Sequence, residues 1–147
     1  MSAPVEIDHV LAGVPDLDDA AATLQARFGL TALPGGRHPG WGTANRIVPL
    51  GSAYLELVTV VDGAEAAGSA FGRWVLAMLR DGPVCGWAVR TEDLDGVAAR
   101  LTLDVVSGSR LTSTGRWLRW RTAGVDRVSA EPALPFFIEW GAGTVLP

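Results

Sequence analysis

An α+β domain assembled from two βαβββ units is the architecture expected of this 147-residue chain, and two observations carry that expectation. The stretch Ile7 to Ala20, IDHVLAGVPDLDDA, returns from Val84 as VCGWAVRTEDLDGVAA, with Asp16-Leu17-Asp18 matched to Asp93-Leu94-Asp95 at an offset of 77 residues. Late in each half a short apolar strand carries one glutamate, YLELV at 54–58 and FFIEW at 136–140. A repeat of this length marks one supersecondary unit written twice. Side by side, the units would form an incompletely closed eight-stranded sheet, helices outside and a concave face inside. The expected bounds are about 5–61 for the first unit, 69–80 for a connecting helix and 84–140 for the second, within a single domain.

Composition narrows the function. The net charge is −4, with twelve arginines, no lysine and no basic face, so the electrostatic footprint of a nucleic-acid binder is missing. Cys85 is the only cysteine and has no internal disulfide partner, and no export signal precedes the first strand, which points to a cytoplasmic protein. No run approaches the ~20 apolar residues of a membrane span. The expected partner is a small neutral or anionic molecule. The two units either close on each other within one chain or exchange between two copies in a homodimer.

In chain order, Val5 to Val14 alternates as a strand with Ile7, His9 and Leu11 on one face. Pro15-Asp16 stops it, and Asp16 or Asp18 caps a helix to Phe28 whose apolar positions are Leu17, Ala21, Leu24 and Phe28. Gly29 closes that helix. After an extended piece at Leu30 to Leu33, GGRHPGWGTAN over Gly35 to Asn45 sets four glycines and a proline around His38, Trp41, Thr43 and Asn45. Glycine there permits close backbone approach to a ligand, with the three polar side chains as contacts and Trp41 as an apolar wall. The alternative is a wide hairpin connection in which Trp41 covers the core edge.

Arg46 to Leu50 and Ala53 to Val61 read as strands, the second with Tyr54, Glu56 and Val58 on one face. A carboxylate in so apolar a strand is costly if buried alone, so Glu56 must meet water, a cation or a donor. Ser69 to Arg80 is an amphipathic helix with Phe71, Trp74, Val75, Met78 and Leu79 on one stripe. The second unit follows with a strand at Val84 to Arg90, a helix at Asp93 to Leu101, an extended piece at Asp104 to Leu111, a strand at Arg116 to Thr122 and a last strand at Pro135 to Trp140. Matching FFIEW to YLELV at their glutamates sets Glu139 on Glu56, whereas His9 falls on Gly86.

IDHVLAGVPDL followed by a later LEL strand, the GRHPGWGTAN segment and the terminal PFFIEW together resemble the glyoxalase-like domain of the vicinal oxygen chelate superfamily, which includes glyoxalases, bleomycin-resistance proteins and extradiol dioxygenases. The resemblance covers nearly the whole chain. It implies a divalent metal, Zn, Mn, Ni or Fe, held by His9, Glu56 and Glu139, with Gly86 standing where a further ligand would be.

Three functions stay open. A metal-assisted lyase or isomerase would polarise vicinal oxygens of a substrate while Glu56 or Glu139 moves a proton. A dioxygenase would need the second metal-binding histidine that Gly86 replaces, unless His38 reaches in from its loop. A metal-free binder would stack a planar ligand on Trp41, Trp87 or Trp117.

Overall fold

The computed structural model describes residues 5–81 and 85–145, so the expected strand start at Val84 lies outside the described residues. Its elements run β1 (Glu6–Gly13), α1 (Leu17–Phe28), β2 (Leu33–His38), β3 (Thr43–Leu50), β4 (Ala53–Val60), α2 (Gly63–Ala67), α3 (Ala70–Asp81), β5 (Cys85–Arg90), α4 (Leu94–Leu101), β6 (Val105–Leu111), β7 (Trp117–Ala123), α5 (Val125–Val128) and β8 (Phe136–Trp140). The eight strands form one sheet in the order β2-β3-β4-β1-β5-β8-β7-β6. The sheet is nearly closed, with an unsealed seam between β2 and β6. β1 runs parallel to β4 and antiparallel to β5, and β5 runs parallel to β8, so the two units join within one chain.

The matched helices begin in the same way. Asp16 accepts a hydrogen bond from the Asp19 amide, and Asp93 accepts one from the Gly96 amide, each satisfying an otherwise free first-turn donor. Gly29 closes α1 at φ 67°, in the left-handed region where glycine carries no Cβ penalty. The burial of α1 departs from expectation: none of its residues is buried, and Phe28 is 63% exposed. The helix is held to the sheet partly by an ion pair from Asp18 to Arg46.

Connecting helix α3 does more than bridge the halves. Its Phe71, Trp74 and Val75 belong to the same buried cluster as Leu11 of β1, Val58 of β4 and Phe136 of β8, so its apolar stripe packs on side chains of both units. Gly86 on β5 fits beneath it, since a Cβ there would lie 2.3 Å from the Trp74 ring. Leu94 and Ala98 of α4 pack instead on Ala123 and Phe137, on the opposite face of the sheet. The short helices α2 and α5 stand where the sequence pattern predicts only connections. No helix among the described residues is long and apolar enough to cross a membrane.

The glycine-rich stretch is largely strand. GGRH lies in β2 and TAN in β3, paired antiparallel, so the connection shrinks to Pro39–Gly42. Gly36 serves the seam rather than a loop: a Cβ there would lie 2.5 Å from the Leu111 carbonyl oxygen of β6. The edge strands of the two units approach so closely that only a bare backbone fits.

Candidate functional site

His9 and Glu56, read from the sequence as strand residues, meet His38 and Asn45 of the glycine-rich stretch on the concave face of the first unit. His9 (β1), His38 (β2), Asn45 (β3) and Glu56 (β4) are all nearly fully buried and line one cavity. The second unit and α3 supply most of the facing wall, with Phe71, Trp120, Phe136, Ile138 and Trp140. The free space between them is about 30 Å³, room for roughly one water molecule. A larger ligand therefore enters only if wall side chains move.

His9 is the hub. Its Nδ1–H donates to Asp8 Oδ2 at 2.7 Å, and its Nε2 forms an ion pair with Glu56 Oε2 at 3.2 Å. The ring stacks on Tyr54 at 4.6 Å between centroids. Burial by itself would depress its pKa. The hydrogen bonds and charges of the two carboxylates outweigh that and push it up to about 9, so His9 is an imidazolium at neutral pH. Glu56 is the mirror case: burial would raise its pKa, but His9, His38 and the Asn45 amide together hold it below the usual carboxylate range. Asn45 Nδ2 donates to Glu56 Oε1 at 2.9 Å, and its own Oδ1 accepts from the Gly36 amide at 3.1 Å, which orients the side-chain amide.

Asp8 gives no signal in the sequence, and a β-bulge explains why. Strict alternation would turn Asp8 away from His9, but the pairing with β5 shifts between Ile7 and His9. Asp8 and His9 are therefore both buried while Ile7 is 54% exposed, against the expectation that Ile7 and His9 share the inner face. Besides His9, Asp8 takes hydrogen bonds from Trp140 Nε1 at 3.0 Å and Arg90 Nη1 at 3.2 Å, so its buried charge is compensated.

His38 lies on β2 and enters the cavity from there. Thr43 Oγ1 sits 2.8 Å from its Nδ1, and its Nε2 is 3.9 Å from Glu56 Oε1. A proton on Nε2 faces the carboxylate favourably, which leaves Nδ1 to accept the Thr43 hydroxyl proton. Burial drives the His38 pKa down to about 4; Glu56 opposes this, the positive charges of Arg110 and His9 add to it, and the ring is neutral. Trp41 is buried 5.8 Å from the His38 ring, and Thr43 is fully buried.

Glu139 does not join this group. Its strand presents Phe136, Ile138 and Trp140 to the cavity, so Glu139 lies on the opposite face, where Oε1 accepts from Arg121 at 2.6 Å and Oε2 from the Leu94 amide at 3.1 Å. The expected overlay of FFIEW on YLELV is corrected by the strand pairing. The 77-residue offset carries Leu11 to Ala88; Leu11 pairs with Glu56 and Ala88 with Phe136, so Phe136 holds the place of Glu56 in the second unit. A one-residue slip in a strand moves a side chain to the other face, and the aligned pentapeptides differ by that parity.

The implied metal ligand set does not fit these residues. Of its positions, His9 and Glu56 are present and bonded to each other, Gly86 has its side-chain space filled by Trp74, and Glu139 is held by Arg121 on the other face. Among the described residues no three His, Cys, Asp or Glu side chains are grouped to hold a metal ion. Two of the expected stacking residues also stand elsewhere. Trp117 is 48% exposed, and Trp87 donates its indole N–H to the Ala133 carbonyl, whereas Trp120 and Trp140 line the cavity. Alternation in WLRWRT, with Leu118, Trp120 and Thr122 on the apolar parity, is the sequence signal that points to Trp120.

Two βαβββ units side by side around one concave face define a glyoxalase-like type of domain. The chain belongs to the glyoxalase-like domain family, whose model matches residues 7–146. No curated protein matches it. Among solved structures it is similar to a hypothetical protein from Staphylococcus aureus, with TM-score 0.71 and 18% identity over 95% of this chain and 60% of that one. The chain thus spans about 60% of that protein's length. It is also similar to methylmalonyl-CoA epimerase from Mycobacterium tuberculosis (TM-score 0.60, 19% identity, 91% of this chain and 85% of that one). A single-residue variant of the Streptomyces coelicolor epimerase, in complex with 2-nitronate-propionyl-CoA, matches with TM-score 0.63 and 19% identity over 97% of both chains. At these identities the likeness is one of fold.

Proposed function

We propose that this protein binds a small carbonyl compound in the His9–Glu56 cavity and moves a proton on the carbon next to the carbonyl, an isomerase-type reaction. The observation that carries the reading is the buried ion pair of His9 with Glu56, with Asp8 behind the imidazolium. Glu56 is held ionised and is thus in the form that accepts a proton. When it takes one from the substrate, a negative charge moves from the carboxylate to the substrate oxygen. That charge stays beside the His9 imidazolium, so little charge separation accompanies the transfer. Return of the proton by Glu56 to its own face regenerates the substrate; delivery of a proton to the opposite face from water, with Glu56 giving up the one it took, inverts the carbon and completes the isomerisation. His38, neutral with its Nε2 toward Glu56, is positioned to donate a hydrogen bond to the same oxygen.

The epimerase neighbours support this class of chemistry through their fold, and acyl thioesters such as methylmalonyl-CoA belong in the first substrate panel. No step is routed through a metal, because Gly86 and Glu139 cannot complete the implied ligand set. The experiment is proton exchange in D2O followed by NMR, over acyl thioesters and small hydroxy- and oxo-carbonyl compounds. Glu56→Gln is expected to slow exchange by about 10²-fold or more while leaving binding measurable. Exchange that survives this substitution sinks the assignment of Glu56.

A second reading, a binder without catalysis, is favoured by one specific feature. Trp74 fills the space above Gly86 and Phe136 stands in the place of a second Glu56, so the second half of the concave face has no counterpart of the His9–Glu56 pair. Tight binding of a panel compound with no exchange at any pH would select it.

A further inference from the structure

Arg110, on edge strand β6, reaches the same cavity from the second unit and is only 6% exposed. Asp8, His9, His38, Glu56 and Arg110 are the buried ionisable or charged side chains among the described residues, apart from Tyr54. Their charges sum to zero, but they are not all paired at close range. His9 pairs with Glu56, and Asp8 pairs with Arg90 as well as His9. Arg110 has no carboxylate within ion-pair distance and no hydrogen-bond acceptor among the described residues. Arg37, Arg46, Arg80, Arg90 and Arg121 all have carboxylate partners.

An unpaired guanidinium is costly to bury, and such a charge persists where something else compensates it. Sealed-off atoms do not account for it. Among the described residues the one fully enclosed, unpartnered side-chain nitrogen belongs to Arg127, so the nitrogens of Arg110 touch open space. Burial pulls its pKa down while Glu56 and Tyr54, both cavity residues, pull it up, which sets the guanidinium near them. Arg110 also borders a hollow beside the β2–β6 seam that Arg116 lines, so a second positive charge stands nearby.

The geometry points to Arg110 as a binding residue for an anionic group of the ligand, a carboxylate held by the planar fork of the guanidinium, while the rest of the molecule lies against Trp120 beside His9 and Glu56. This rests on the reading of the cavity as a ligand site and deepens it: the substrate is an organic acid. A carboxylate matches the fork with two parallel N–H donors and supplies the close partner that Arg110 lacks. Removing an uncompensated buried charge relieves the unliganded protein, so Arg110 costs stability that the ligand restores.

The test uses acetate and benzoate with their neutral isosteres acetamide and benzamide, at constant ionic strength set with chloride. The readouts are melting temperature and tryptophan fluorescence, for wild type, Arg110→Met and Arg110→Lys. Expected are a dose-dependent rise in melting temperature of the wild type with the acids and not the amides, at least tenfold weaker in Arg110→Met and partly kept in Arg110→Lys. Arg110→Met without ligand should melt no lower than wild type. Acid and amide acting alike on the wild type overturns the proposal, and quenching by benzamide in both proteins would at the same time leave the cavity standing as a ligand site. Arg110→Met melting lower while keeping the acid effect also overturns it, making Arg110 a structural residue. So does inorganic phosphate protecting as well as benzoate, because the site then reads charge and not the carboxylate.

Discussion

The two units share a fold and divide the chemistry. At the places related by the 77-residue offset, the first unit has His9 where the second has Gly86. Through the matched parallel pairs, it has Glu56 where the second has Phe136. The first unit therefore buries ionised groups that satisfy one another, and the second supplies tryptophans, Phe136 and Ile138 as walls, with Arg110 as its one buried charge. A pseudo-symmetric scaffold needs only one polar half to make a site, because the other half need only exclude water and shape the space.

The sharpest way to break this contrast is to remove the glutamate from each unit. Glu56→Leu leaves the His9 imidazolium buried without one of its partners and should cost about 3–5 kcal/mol in chemical denaturation. Glu139→Leu removes a carboxylate that is 25% exposed and should cost about 1 kcal/mol or less. Equal losses would mean that both glutamates are structural in the same sense.

The asymmetry at the first strands is tested through Gly86. Gly86→Ala drives a methyl into the Trp74 ring and should cost about 1–3 kcal/mol. Combined with Trp74→Phe, the loss should be smaller than the sum of the two single changes. Strict additivity would show that Trp74 is not what keeps position 86 bare.

The two histidines, both from the first unit, give opposite pH dependences. The folded pKa of His9 is raised from 6.5 to about 9, so its contribution is complete below pH 6.5 and is lost as pH rises toward 9. The folded pKa of His38 is lowered from 6.5 to about 4, so below pH 6.5 the unfolded chain binds a proton that the native state refuses, and stability falls toward pH 4. Each slope is about 1.4 kcal/mol per pH unit, so stability should peak near pH 6.5. Urea denaturation from pH 4 to 9 checks this. His9→Gln should flatten the alkaline limb and His38→Gln the acid limb, and an alkaline limb unchanged in His9→Gln would mean that the ion pair is not charged as described.

The smallest expected effect is none. Titration with Zn, Mn and Ni should give the same affinity for wild type and Glu139→Gln, since Glu139 faces α4 and Arg121. Weakened binding in that variant would bring Glu139 back to the concave face.

Readable from residues alone were the duplication, the order of the strands and of the three longer helices α1, α3 and α4, and the caps of α1 and α4. These depend on local period and on turn chemistry, which neighbouring residues carry by themselves: Asp16 and Asp93 announce helix starts in any context. The inner face of β4 was also legible, because Tyr54, Glu56 and Val58 stand on one side of a regular strand. What only the three-dimensional structure decided was parity and partnership. The bulge at Ile7–His9 turns Asp8 inward, a single-residue slip puts Glu139 outside, and GGRH becomes a strand because β3 is there to pair with it. The aromatic wall and the unpaired Arg110 come from strands far from His9 in sequence. A strand's two faces are equivalent until its neighbours are in place, and whether a buried charge is paired depends on which side chains long-range pairing brings within a few ångströms of it.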